Sequence, residues 1–293
     1  MKGQSKDKMR SETTMMALIL NTALANERIR GVILNGSRVN PNVEPDRFQD
    51  YDVIYIVTDL ASFLADPTWI DRFGERMILQ LPDLMGAEAP REDGGFTYLM
   101  QFMDGNRIDL TLIPVRHIAK MQKDSLSVLL LDKDQRFDPF PPPSEVSYLP
   151  TPPTPKDFAD CCNEFWWVAP YVAKALKREE ILYARHLLDT VLRKELMRIL
   201  TWWFGIKTGF QHNPGKVGKH FKDVLSEKHW EQLLSTYSPA EINPTWSALF
   251  KMTDLFSEMG CEVAQNLGYI YPEEDDERVS GYLKEIQRGT NKK

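Results

Sequence analysis

Three aspartates in this chain have the spacing of a metal site built on a β-sheet. Asp50 and Asp52 open the segment DYDVIYIVT, and Asp109 lies alone inside the apolar segment RIDLTLI. Side chains alternate along a strand, so Asp50 and Asp52 share one face, and Asp109 joins them if Ile108 and Leu110 face a core on the other side. Converging carboxylates repel one another unless a cation lies between them, and such hard oxygen ligands suit Mg²⁺. We therefore predict that Asp50, Asp52 and Asp109 are metal ligands and catalytic residues.

The segment Gly36-Ser37-Arg38 has the composition of a phosphate site. It ends an apolar run, and a glycine followed by a hydroxyl residue lets backbone N–H groups and the hydroxyl approach a phosphate closely. Arg38 can neutralise the phosphate charge. A Gly-Ser pair alone is an ordinary turn, and an Asp-x-Asp alone is an ordinary surface charge. The combination with a lone aspartate inside an apolar strand favours a site, because a buried carboxylate is costly without a partner.

A sheet is needed to position these residues. Four segments rich in apolar residues predict strands: Ile29–Leu34, Asp50–Thr58, Gly94–Met103 and Arg107–Ile113. The last two are separated by Asp104-Gly105, which favours a hairpin. Ser11 is expected to cap a helix, and the pattern over Thr68–Gln80 predicts a second helix.

Prolines divide the chain. Eight of its 19 prolines lie between Pro139 and Pro155, a composition that neither continues a helix nor fits inside a sheet. After this segment the apolar residues follow helical spacing, whereas before it helix and strand signals alternate. We predict an α+β fold with three parts: a catalytic domain with a mixed sheet over residues 1–137, a Pro-rich linker over 138–155, and a helical bundle over 156–293. The acidic run Glu273–Glu277 is predicted to be a solvated loop between helices.

Charge and composition exclude several classes of protein. The chain has 36 Lys and Arg against 42 Asp and Glu, a net charge of −6, which is the wrong sign for holding long stretches of phosphate backbone. A cationic small molecule is the better partner, and we expect no nucleic acid. The longest apolar runs are too short for a membrane span, and the three cysteines form no disulfide framework. We expect a cytoplasmic protein with no membrane contact.

The motifs together resemble the nucleotidyltransferase superfamily that includes polymerase β and kanamycin nucleotidyltransferase, in which Gly-Ser is followed about a dozen residues later by Asp-x-Asp. The segments LNGSRVNP, FQDYDVIYIV and NRIDLTLIP, with REEILYARHLLDTVLRKELMRILTWW and GFQHNPGKVGKHFK, resemble the aminoglycoside 6-adenylyltransferases, the streptomycin-modifying enzymes of bacteria. This resemblance covers residues 11–237. It implies a polymerase β-like sheet, ATP as co-substrate, and transfer of AMP to a hydroxyl of streptomycin at the 6-position, with release of pyrophosphate.

The resemblance also implies roles for individual residues. Asp50 and Asp52 would hold one or two Mg²⁺ ions, while Gly36, Ser37 and Arg38 would grip the outer phosphates of ATP. Asp109 is either a further metal ligand or the base that takes the proton from the drug hydroxyl, and the sequence does not separate these roles.

Two further groups of residues are weaker candidates. Lys216 and Lys219 lie in GKVGK, which lacks the spacing of a P-loop, and they either reach ATP phosphates from the helical half or are solvated lysines. Glu88, Glu92 and Asp93 lie in a loop where a base or a drug-binding carboxylate could sit, although a plain solvated loop explains them too. Two alternative functions stay open: a nucleotidyltransferase with a protein or RNA acceptor, and a catalytically silent binding module.

Overall fold

The computed structural model describes residues 9–86, 91–121 and 124–289. The chain forms two compact units, which divide between Ser147 and Tyr148. The first contains a sheet with helices and the second is helical, so the predicted α+β class is confirmed.

Among the residues described, six strands form the sheet of the first unit. They are β1 (Ile29–Asn35), β2 (Tyr51–Val57), β3 (Arg76–Gln80), β4 (Phe96–Phe102), β5 (Arg107–Pro114) and β6 (Ser127–Asp132). Their order is β3-β4-β5-β2-β1-β6, and β2 and β5 run parallel while the other neighbours are antiparallel. The sheet is therefore mixed, and the two strands that carry the aspartates are direct neighbours.

Helices cover one face of this sheet. Helix α1 (Glu12–Leu24) is capped by Ser11, whose side chain accepts a hydrogen bond from the backbone N–H of Thr14, as predicted. The helix buries Met15 and Ile19 against alternate residues of β2, and the Tyr55 hydroxyl donates to the carbonyl of Ile19 at 2.6 Å. A short helix, α2 (Leu60–Leu64), follows β2. Because these contacts use one face of β2, the aspartates are left on the other.

The predicted helix over Thr68–Gln80 is wrong in its second half. A 3₁₀ helix covers Pro67–Phe73, and Arg76–Gln80 is the edge strand β3, paired with β4. Gly74 ends the helix, since its φ of +122° is incompatible with helical backbone. Pairing with β4 then decides the conformation of a segment whose apolar residues suit a helix equally well. Shorter 3₁₀ helices lie elsewhere in this unit, at Gly36–Val39, Pro82–Leu84 and Val115–Lys120.

The second unit is built from helices packed on one apolar core. They are α3 (Pro155–Lys177), α4 (Ile181–His186), α5 (Arg193–Lys207), α6 (Glu227–Ser235), α7 (Ile242–Leu267) and α8 (Glu273–Arg288), with a π-helical stretch over Leu187–Leu192 and 3₁₀ turns at Lys216–Gly218 and Phe221–Asp223. Thr154 and Asp157 form a capping box that starts α3. At the centre of the core, the rings of Phe165 and Phe256 stack with centroids 3.6 Å apart.

The acidic run Glu273–Glu277 is the first turn of α8 and not the predicted loop. Negative side chains stabilise a helix at its N-terminus, where the backbone N–H groups are unpaired and the dipole is positive. Within the described residues, every helix is too short or too polar to span a lipid bilayer.

Candidate active site

The structure brings the three predicted carboxylates together on the face of the sheet opposite α1. The parallel register of β2 and β5 places Asp52 directly beside Asp109, and Asp50 immediately precedes β2. One oxygen of each carboxylate lies within 4.8 Å of one oxygen of each of the others. The donors are all carboxylate oxygens of partly buried residues, which is the ligand type that Mg²⁺ takes in proteins. The donor set thus fits the expected metal.

Electrostatic repulsion is concentrated on the middle carboxylate. Burial, together with the charges of Asp50 and then Asp109, raises the pKa of Asp52 from 3.8 to about 7. The protein therefore has to neutralise this cluster, either with a proton or with a cation.

Arg107 supplies a cation from within the chain. Its Nε and Nη2 donate to Oδ1 and Oδ2 of Asp109 at 2.7 and 2.6 Å, and Nε lies 3.7 Å from Oδ2 of Asp50. The sequence prediction missed this residue. The signal was present, however, because Arg107 precedes Asp109 by two positions on one strand and must share its face.

Gly36 lies against Asp52. The backbone of Gly36 has a φ of +80°, and its N–H donates to the carbonyl of Leu126 at 3.0 Å. A Cβ at this position would lie 3.1 Å from Cγ of Asp52 and closer still to Oδ2. Asn35 pairs with Asp52 across β1 and β2, which brings the turn to the carboxylate. Glycine is needed here both for its backbone conformation and for the space that Asp52 occupies.

Ser37 and Arg38 follow in the 3₁₀ turn Gly36–Val39. The carbonyl of Ser37 accepts from Nε2 of Gln49 at 3.3 Å. Arg38 is almost fully buried: its Nε and Nη2 donate to the carbonyls of Asp50 and Gln49 at 3.0 and 2.7 Å, and its guanidinium lies 3.7 Å from the centre of the Tyr51 ring. These contacts hold the turn against the start of β2, and so they fix the position of Asp50. Phosphate binding by Gly36, Ser37 and Arg38 stays a prediction.

The weaker candidates lie on other segments of the chain. Lys216 and Lys219 are exposed in a loop of the helical unit that bends at Val217, whose φ is +56°, and their contact with ATP stays a prediction. Asp93 accepts two hydrogen bonds from Arg91 and one from the N–H of Gly95, so it has a structural role in its loop.

Two more residues of that loop were candidates for a base or a drug-binding carboxylate. Glu92 is exposed. Glu88 lies outside the described residues.

A cavity of about 600 Å³ opens on the same face of the sheet. Its walls include Ile33 and Ile54 from the sheet and the edge-to-face pair Phe137 and Phe140. Asn35 also lines it, and Asn35 pairs with Asp52 across β1 and β2, so the cavity adjoins the carboxylates. Its volume is typical of a small-molecule site.

The chain is similar over most of its length to proteins of one family. The sequence model for streptomycin adenylyltransferase matches residues 9–286. The aminoglycoside 6-adenylyltransferase of Campylobacter jejuni is 45% identical over 276 residues, which make up 94% of this chain and 95% of that protein. The aminoglycoside 6-adenylyltransferase of Bacillus subtilis (strain 168) is 42% identical over 280 residues, or 95% of this chain and 98% of that protein. A crystal structure of an aminoglycoside 6-adenyltransferase from Bacillus subtilis, 38% identical, covers 95% of this chain and 99% of its own, with a TM-score of 0.46.

Proposed function

The chain belongs to the streptomycin adenylyltransferase family, and from this membership we propose that it transfers AMP from ATP to the 6-hydroxyl of streptomycin and releases pyrophosphate. Membership makes it a nucleotidyltransferase. The observation that carries the proposal is the cluster of Asp50, Asp52 and Asp109, which each offer one oxygen within 4.8 Å of those of the other two. A protein that only binds a ligand has no need to hold three carboxylates together against their repulsion.

In this proposal the three aspartates hold Mg²⁺. When bound, Mg²⁺ offsets the charge of the triphosphate and stabilises the charge that develops around the α-phosphorus. The hydroxyl and backbone N–H of Ser37 would bind the outer phosphates at the close approach that Gly36 allows, while the N–H of Gly36 itself donates to the carbonyl of Leu126. The drug hydroxyl oxygen bonds to the α-phosphorus, the bond from that phosphorus to the bridging oxygen breaks, and pyrophosphate leaves with the electron pair.

The hydroxyl proton needs an acceptor, and Asp109 is the candidate on the described part of the sheet. Both oxygens of Asp109 accept hydrogen bonds from Arg107. We retain two roles for Asp109, metal ligand and general base.

The acceptor we propose is a cation. Streptomycin carries two guanidinium groups, and a chain of net charge −6 attracts it over a distance of about 8 Å at physiological salt. Carboxylates then bind guanidinium groups through paired hydrogen bonds. The value of kcat/KM for streptomycin is therefore expected to fall as ionic strength rises.

The test is transfer of label from α-labelled ATP in Mg²⁺ to a panel of acceptors: streptomycin, kanamycin, RNA and bacterial protein. We expect labelled streptomycin and little labelled kanamycin, with transfer lowered by about a hundredfold or more in Asp52→Asn. Better use of kanamycin would overturn the choice of drug, and label on RNA or protein would overturn the acceptor class. Absence of transfer to every acceptor, with a folded protein, would favour a silent binding module.

A further inference from the structure

Arg107 binds oxygens of the carboxylate cluster that a metal ion would also use. Its guanidinium donates to both oxygens of Asp109 and lies 3.7 Å from Asp50. The charge of Arg107 also lowers the pKa of Asp52, opposing the effects of burial and of the neighbouring carboxylates. The arginine is thus the cation that offsets the repulsion among all three aspartates.

The side chain of Arg107 is placed to move. It is 45% exposed, whereas the carboxylate of Asp109 is only 17% exposed, and Arg107 is the first residue of β5. Its neighbour Ile108 is fully buried on the other face, so the backbone stays fixed while the guanidinium turns into solvent. Because its guanidinium is half-exposed, this ion pair is weak enough to be broken by a divalent cation.

We propose that Arg107 is the internal counter-ion of the metal-free site, and that it exchanges Asp109 for a phosphate group of the nucleotide when the metal binds. The carboxylate oxygens that bind the guanidinium are the ones a metal must use, and two cations so close together repel each other. Once the guanidinium of Arg107 has left Asp109, its planar set of N–H donors can bind phosphate oxygens in the way that it bound the carboxylate. The phosphate half of this inference rests on the proposed function, whereas the exchange with metal does not.

The exchange predicts two effects of opposite sign for one substitution. Arg107→Gln removes the competitor, so Mn²⁺ alone, titrated by electron paramagnetic resonance, is expected to bind about threefold to tenfold more tightly than to the wild type. The same variant loses a phosphate ligand, so ATP at saturating Mg²⁺ is expected to bind about tenfold more weakly by calorimetry. A residue that served only to stabilise the fold would weaken both.

The chain provides a matched control. Arg91 forms the same two-pronged pair with Asp93, also two residues away and also partly exposed, outside the aspartate cluster. Arg91→Gln is expected to leave the affinity for Mn²⁺ unchanged. Arg107→Lys keeps the charge without the planar fork, so we expect Mn²⁺ affinity near the wild-type value and weakened ATP binding.

Several results would overturn the proposal. Mn²⁺ affinity that falls or stays the same in Arg107→Gln, while the variant melts at the wild-type temperature, refutes the exchange. Unchanged ATP affinity in that variant refutes the phosphate contact. If the wild type binds Mn²⁺ but neither binds ATP nor transfers AMP, the proposed function fails together with the phosphate half. Tighter Mn²⁺ binding by Arg107→Gln would still support the exchange in that case.

Discussion

Replacing Gly36 by alanine tests how closely the turn after β1 determines the position of Asp52. The new Cβ would be placed 3.1 Å from Cγ of Asp52 and in steric conflict with Oδ2, and it would sit on a backbone with φ of +80°. The backbone of Gly36 is held by its hydrogen bond to Leu126, and Asp52 lies in the middle of the sheet. The carboxylate is therefore the part that has to turn away.

Two magnitudes follow from this geometry. The left-handed backbone costs a residue with a Cβ about 1–2 kcal/mol, which is a modest share of the roughly 5–15 kcal/mol by which domains are stable. The variant is therefore expected to fold. Misplacing a catalytic ligand by about 1 Å costs on the order of a hundredfold in rate, so we expect AMP transfer to fall by at least that factor.

The assay combines initial rates of AMP transfer with thermal unfolding and Mn²⁺ titration. Gly86→Ala is the matched control, because Gly86 has a similar φ of +76° and no atom of the residues that the structure describes lies within 4 Å of the added Cβ. We expect the two variants to lose equal stability. Only Gly36→Ala is expected to lose activity and Mn²⁺ binding. If Gly36→Ala keeps more than about a tenth of wild-type turnover, against the hundredfold loss expected for a displaced ligand, the steric argument is refuted.

Three further predictions concern the same face of the sheet. Asp52→Asn is expected to lower initial rates of AMP transfer by about a hundredfold or more, because the metal site loses a charged ligand. The melting temperature is not expected to fall, because repulsion among the carboxylates is relieved, and a lower melting temperature would contradict this. With EDTA present, the raised pKa of Asp52 means that the native state keeps a proton which the unfolded chain releases between pH 3.8 and about 7. The wild type therefore loses stability relative to Asp52→Asn as pH rises through that window, and urea unfolding at several pH values that showed a constant difference would refute it. Arg38→Gln is expected to lower the free energy of unfolding by about 1–3 kcal/mol, since the carbonyls of Gln49 and Asp50 lose a buried donor. Denaturant titration measures this change, and finding none would show that water replaces the guanidinium.

The strands that carry the site could be predicted because their patterns are local. An apolar run bounded by turn residues indicates a strand wherever it is placed, and the period of two then fixes which side chains share a face. Asp50 and Asp52 were assigned to one face in this way. The parallel pairing of β2 with β5, which puts Asp109 beside Asp52, depends on contacts between segments far apart in sequence. Asp109 was placed beside Asp50 and Asp52 because a metal site needs several carboxylates, and not because a sequence pattern indicated the pairing.

The errors have the same origin. The residues of Arg76–Gln80 are compatible with a helix, and only pairing with β4 makes them a strand, so no local pattern decides between the two. The run Glu273–Glu277 was interpreted by its charge, whereas its position at the start of α8 turns that charge into a stabilising feature. In both cases the surroundings of the segment decide its structure.

Arg107 was overlooked for a different reason. Three carboxylates require a cation, and that cation need not be a metal ion, because the chain itself places a guanidinium two residues before Asp109. Repulsion among buried charges must be balanced in every state that the protein populates, including the state without ligand. A metal site made of several carboxylates should therefore be searched for its own counter-ion. The nearest place to look is the alternate positions of the strands that carry the ligands, because these residues share the face of the ligands by backbone geometry alone.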